Sequence, residues 1–158
     1  MISEGVAKTI LSESEAILAQ AERPIENRLS DLMQFLHDRI PHAYWVGIYW
    51  LEGEELKLGP YAGPPTEHTC IPVGRGVCGT AVAERKDQIV ADVRTCTNYL
   101  ACNPETLSEI VVLIYHPESG DIIGQIDIDG NQVGAFDESD RALLGAIADK
   151  IAHAIWRS

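Results

Sequence analysis

The sequence predicts an α+β domain in which a central antiparallel β-sheet is covered by helices from both ends of the chain. Three observations carry that reading. Two amphipathic helical patterns open the chain, strand pairs punctuated by glycine and proline fill its middle, and one strongly patterned helix closes it.

The elements follow in order. Residues 3–20 place Val6, Ile10, Leu11, Ile17 and Leu18 near helical spacing, and 24–40 repeat the pattern with Ile25, Leu29, Leu32, Met33, Leu36 and Ile40. Pro24 suits the first turn of the second helix, where its missing N–H would be unpaired anyway, and Pro41 stops that helix. The run AYWVGIYWLE is rich in aromatic and β-branched residues, and the turn EGEE leads from it into ELKLGPY as a hairpin. The short apolar runs CIPV and QIVADV flank the helical VCGTAVAERK. SEIVVLIYH and IIGQIDID, joined by PESGD, make the clearest hairpin. Asp137 is a good N-cap, Asp140 sits in the first turn after it, and Leu143, Leu144, Ile147, Ile151 and Ile155 form the apolar stripe of a closing helix. With no internal repeat or low-complexity linker, residues 1–158 read as one domain: a helical part over 3–40, a sheet with active-site loops over 43–130, and a C-terminal helix over 137–156.

Composition excludes several function classes. A formal net charge of −12 repels phosphate backbones, and no Lys/Arg cluster overrides it, so nucleic acid is not an expected partner. No segment approaches the ~20 apolar residues of a membrane span. The N-terminus lacks a basic region followed by a small-residue cleavage site. A cytoplasmic, soluble protein without a membrane partner is expected. The cysteines at 70, 78, 96 and 102 show no C-x-x-C and irregular spacing, which suits neither a disulfide framework nor a zinc centre. Buried or redox-active thiols remain.

The run Gly74-Arg75-Gly76-Val77-Cys78-Gly79 matches G-x-G-x-x-G, but its preceding run contains a proline and no further βαβ unit follows, so a nucleotide cofactor is not expected. Those glycines instead shape a strand-to-helix turn that presents Cys78 near a helix N-terminus, where the dipole would favour thiolate. Cys102 lies in the aperiodic stretch TCTNYLACNPETLSE, either as a reactive loop thiol or as a small apolar side chain docking the loop. Asp127 and Asp129 alternate with Ile126 and Ile128, so both carboxylates share one face of a strand while the isoleucines face the core. Like charge and partial burial raise their affinity for a proton, and one of them could stay protonated at neutral pH. Glu109 begins the partner strand and can complete the cluster. A solvated strand end, or a carboxylate metal site, would leave the same pattern. The five histidines lack ligand spacing. Alternation puts Trp45 and Tyr49 on one face and Trp50 on the other.

The residues WVGIYWLE, LGPYAG, IPVGRGVCGTA, ADV, ACN, SEIV and IGQIDIDG, in this order, resemble the GAF-domain free methionine-R-sulfoxide reductases from about Trp45 through the C-terminal helix. The resemblance implies a GAF-like fold and thiol-dependent reduction of free L-methionine-R-sulfoxide. Cys102 matches the family nucleophile, which would be left as a sulfenic acid. A second thiol would condense with it to a disulfide that thioredoxin reduces, with no bound cofactor and no metal. Glu109, Asp127 and Asp129 match the pocket carboxylates that bind the sulfoxide oxygen and the substrate ammonium. Trp45 matches the aromatic packed against the substrate methyl, and Tyr49 a nearby pocket residue.

The sequence also departs from the family pattern. His68 stands where the family usually has a third cysteine ten residues before Cys78, and Cys70 lies two positions later, so either Cys78 or Cys70 is the resolving thiol. Asn98-Tyr99 replace the usual Gly-His pair, and Asn103 replaces the acidic residue that often follows the nucleophile. The rival to the enzyme is a GAF module that only binds a small ligand or senses redox state. The thiols together with three carboxylates favour the enzyme. Amphipathic terminal helices also suit a homodimer.

Overall fold

The computed structural model describes residues 2–99 and 104–157. The first helical pattern folds as α1 (Glu4–Leu18), with the Ser3 side chain accepting a hydrogen bond from the Val6 amide. The second folds as α2 (Ile25–Arg39). Pro24 stands one residue outside it, at the N-cap with extended ψ of 143°, rather than within the first turn. At the other end Ile40 turns extended ahead of Pro41, whose ring disfavours helical geometry in the residue before it.

Among the described residues six strands follow, interrupted by one α-helix: β1 (Ala43–Glu52), β2 (Glu55–Ala62), β3 (Cys70–Pro72), α3 (Gly76–Glu84), β4 (Gln88–Val90), β5 (Ser108–Tyr115) and β6 (Ile122–Gly130). The chain closes with α4 (Glu138–Trp156), where Asp137 and Asp140 form a reciprocal capping box. The run QIVADV is a strand only to Val90. Asp92 then accepts from the Arg94 amide and starts a 3-10 turn, a local bond that competes with the sheet ladder. All strand pairs are antiparallel, in the order β3-β2-β1-β6-β5-β4, so β1 and β6 are central.

Period-two alternation sorts the strands into two faces. One carries Val46, Ile48, Ile110, Val112, Ile114, Ile126 and Ile128 into a core shared with Leu32, Met33, Leu36, Leu144 and Ile147 of α2 and α4, with Ile10 of α1 packed alongside. Each such side chain contributes roughly 1.5–3 kcal/mol when fully buried. The other face carries Trp45, Tyr49, Leu56, Val111 and Leu113 beneath Val77, Cys78, Ala81 and Val82 of α3. Glu109, Asp127 and Asp129 occupy strand positions of this second face.

Candidate active site

The register of the central strands assembles the acids. Glu109 of β5 pairs with Asp129 of β6, Val111 with Asp127, and on the other side of β6 Trp45 pairs with Asp129 and Gly47 with Asp127. Three carboxylates and an indole therefore stand side by side on the α3 face. All are buried: Glu109 is 5%, Asp127 1%, Asp129 3% and Trp45 5% exposed. Gly47 is required there by close approach. A Cβ would meet Cη2 of Trp45 at 2.3 Å and Cβ of Tyr61 at 2.9 Å, so only glycine lets the indole lie across the strand. The Tyr61 ring stacks on that indole, with centroids 5.5 Å apart, and Tyr49 lies tilted against it at 6.1 Å. The Tyr49 hydroxyl donates to the backbone carbonyl of His68 at 2.8 Å, so at this departure from the family pattern the main chain of residue 68 anchors Tyr49.

α3 brings the thiol. Gly74 and Gly76 take φ of 92° and 66°, the left-handed region open to glycine, and these two turns aim the first turn of α3 at the sheet. The Cys78 thiol then donates to Oε2 of Glu109 at 3.8 Å. One ligand atom each from Cys78, Glu109 and Asp127 lies within 4.8 Å of the others.

Electrostatics here overturn the expected thiolate. Burial, then the charges of Asp127, Glu109 and Asp129, push the Cys78 thiol well above its ordinary range. The helix dipole, about half an elementary charge, loses to three neighbouring carboxyl groups in a dry site. Burial likewise raises Asp129 well above the usual carboxylate range, with the Asp127 charge adding to it, against hydrogen bonds from Glu109 and Thr106. Asp127 is raised by burial and partly offset by hydrogen bonds from Glu109 and Cys78. Both directions favour the protonated form of these two carboxyl groups over the carboxylate.

The remaining thiols are placed differently. Cys70 is exposed on β3, pairs in register with Lys57, and donates to Glu55 Oε2 at 2.7 Å. Its neighbour Ile71 packs into the Cys78 face, so alternation turns Cys70 away from the cluster. Cys96 is partly buried and lines a cavity of about 280 Å³ with Val77, Thr80, Val90 and Asn98. Cys102 and Asn103 lie outside the described residues. At the other departure, the Asn98 side-chain amide donates to the Gly74 carbonyl at 2.9 Å and ties the loop to the turn before α3, while Tyr99 packs against the Cys78 face.

Sequence reasoning missed three contributors. Thr106 donates to Asp129 Oδ2 at 3.5 Å and has no motif to announce it. Tyr61 backs the indole from β2. Gln125 shares a face with Asp127 by alternation, the one signal that was available, and is fully buried with neither amide atom hydrogen-bonded among the described residues. A larger cavity of about 680 Å³ opens near the ends of α1 and α4, between Leu18, Arg28, Lys150 and His153. Its carboxylate Glu15 is already paired with Lys150 at 3.4 Å, and it contains no thiol, so the chemistry sits on the other face of the sheet.

The GAF domain family model matches residues 23–155. The free methionine-R-sulfoxide reductase of Escherichia coli is 39% identical over 123 residues, covering 76% of this chain and 72% of that protein. The reduced form of fRMsr of Staphylococcus aureus superposes with a TM-score of 0.85 at 38% identity, covering 94% of each chain. The free methionine-R-sulfoxide reductase of Neisseria meningitidis, solved in complex with its substrate, gives 0.89 at 31% identity, covering 99% of this chain and 93% of the other. With a sheet that places the thiol, the acids and the indole on one face, and relatives of this identity and coverage, the chain belongs to the GAF-domain family of free methionine-R-sulfoxide reductases.

Proposed function

We propose that the chain reduces free L-methionine-R-sulfoxide to L-methionine, with Cys102 as nucleophile. The buried Cys78–Glu109–Asp127–Asp129 cluster beside the Trp45 indole carries this reading. A zwitterionic amino acid with an S-methyl group needs a negative site for its ammonium, an apolar wall for its methyl and a proton for its departing oxygen. The carboxylates supply the first, Trp45 the second, and the raised Asp129 carboxyl the third.

The chemistry then runs in two steps. Sulfur of Cys102 attacks the sulfoxide sulfur and takes its oxygen, so that sulfoxide and thiol become methionine and sulfenic acid. Cys78 attacks that sulfenic sulfur, a disulfide forms and water leaves, with Glu109 positioned to take the thiol proton. Cys78 is the better resolving thiol because Cys70 is turned from the cluster and hydrogen-bonded to Glu55. Thioredoxin returns both thiols by exchange, without a bound cofactor, in a reducing compartment such as the cytoplasm. None of the described helices is long and apolar enough to cross a membrane. Val6 of α1 and Trp156 of α4 are about half exposed and offer apolar contact to a second copy through the terminal helices.

The test is single- and multiple-turnover assay of the purified protein with each sulfoxide epimer. The R epimer is reduced with thioredoxin as reductant; no turnover of it sinks the enzyme reading. Cys102→Ser abolishes the single-turnover yield of methionine, whereas Cys78→Ser keeps that yield and blocks recycling. Recycling lost in Cys70→Ser instead would reassign the resolving thiol.

A further inference from the structure

We infer that Cys78, Glu109 and Asp127 form an inhibitory binding site for a borderline dication such as Zn2+. Metal binding is independent of the proposed function, and only its inhibitory consequence rests on that reading.

Geometry comes first. In a tetrahedral zinc site with Zn–S near 2.3 Å and Zn–O near 2.1 Å, a sulfur and an oxygen ligand stand about 3.5 Å apart. Cys78 Sγ and Glu109 Oε2 are 3.8 Å apart, and with an Asp127 oxygen all three ligand atoms fall within 4.8 Å of one another. Side-chain adjustments of under about 1 Å would close them round an ion. Three ligands from three elements leave a fourth position open, as in zinc sites that exchange what they bind.

A second observation is independent of the cluster's composition. Asp127 is 1% exposed, yet its Oδ1 has no hydrogen-bond partner among the described residues. A buried, unpartnered carboxylate oxygen costs roughly 1–3 kcal/mol or more and is the feature a cation relieves. Among the described residues no lysine or arginine pairs with Asp127 or Asp129, so no protein cation stands where the dication would bind. The thiol decides the metal: a sulfur ligand selects zinc over magnesium or calcium, which take oxygen alone. Outside the three ligands, Asp129 hydrogen-bonds Glu109 and accepts from Thr106, the kind of outer support that orients ligating carboxylates.

Binding changes no oxidation state. The metal–sulfur bond replaces the S–H bond of Cys78, and the proton leaves to solvent. The ion then occupies the acidic ground that the substrate ammonium needs and caps the thiol that would resolve the sulfenic acid. Once Cys78 enters a disulfide it offers no thiolate, so an oxidised chain releases the ion.

The experiment titrates the reduced protein with Cd2+ as a spectroscopic stand-in for Zn2+, following the ultraviolet thiolate-to-cadmium charge-transfer band, and measures Zn2+ affinity by competition with a chromogenic chelator. One equivalent of Cd2+ produces the band. Cys78→Ser removes it, and Cys70→Ser, Cys96→Ser and Cys102→Ser keep it. Asp127→Asn, checked for folding by circular dichroism, weakens Zn2+ binding by at least about tenfold, the loss that even an outer-shell partner brings. A band that persists in Cys78→Ser, or unchanged affinity in Asp127→Asn, overturns the site. If Cys78→Ser does not fold, Asp127→Asn alone decides. In Cys102→Ser, which binds the ion but cannot be oxidised by the sulfoxide, Zn2+ binding unaffected by free methionine-R-sulfoxide would leave the metal site standing and overturn its inhibitory role.

Discussion

The two faces of the sheet obey different rules although they are made from the same strands. On the face under α1, α2 and α4 the strand residues are aliphatic and fill a continuous core. On the face under α3, the intervening residues include Glu109, Gln125, Asp127 and Asp129, all buried, together with a thiol whose proton is held tightly. Ile128 and Asp129 are neighbours in sequence and belong to opposite regimes. One face supplies stability; the other spends some of it on groups that would be better solvated in water.

That contrast can be broken at three positions of β6. The largest effect is expected at Asp129→Asn, which removes the raised carboxyl: methionine-R-sulfoxide turnover falls by roughly 10²–10⁴, measured as kcat/KM, while denaturant unfolding stays cooperative. Ile128→Ala, one residue away on the helix face, should do the reverse. It lowers stability by about 2–5 kcal/mol, read as a drop in the denaturation midpoint, and leaves the activity of the folded fraction intact.

Gln125→Leu goes in the opposite direction to an ordinary core substitution. Replacing a fully buried amide that lacks partners among the described residues by a side chain of similar volume raises stability by about 1–3 kcal/mol; a fall in midpoint would mean that the amide is satisfied. The smallest change is a slope. Because the folded Asp129 carboxyl keeps its proton above the pH at which the unfolded chain releases it, the native state binds more protons. Its contribution is therefore fully present below the ordinary carboxylate range near pH 4 and is lost as pH rises toward the folded value. Thermal melts from pH 4 upward should lose this component in Asp129→Asn. A slope identical in both proteins would place the retained proton elsewhere.

Much of the fold was legible because its signals are local. Alternation alone sorted Trp45 and Tyr49 from Trp50, and Asp127 and Asp129 from Ile126 and Ile128. The capped closing helix and the β5–β6 hairpin needed nothing beyond turn residues and period. The site was legible as a list of residues but not as an environment. Whether Cys78 ionises depends on Glu109, 31 residues away, and on β6 beyond it, so a helix N-terminus read in isolation suggested the wrong charge state. The roles of Asn98 and of the residue 68 backbone were hidden for a related reason. Both act by holding distant segments in place, and such contacts leave no periodic trace.

The sheet ends in strands of only three residues on both sides, β3 and β4. Short margins of this kind present few unpaired amides and carbonyls to a neighbouring chain, and β3 carries the Glu55–Cys70 contact and the charge of Lys57 beside it. Strand addition is thereby discouraged at the two places where a sheet is most open to it.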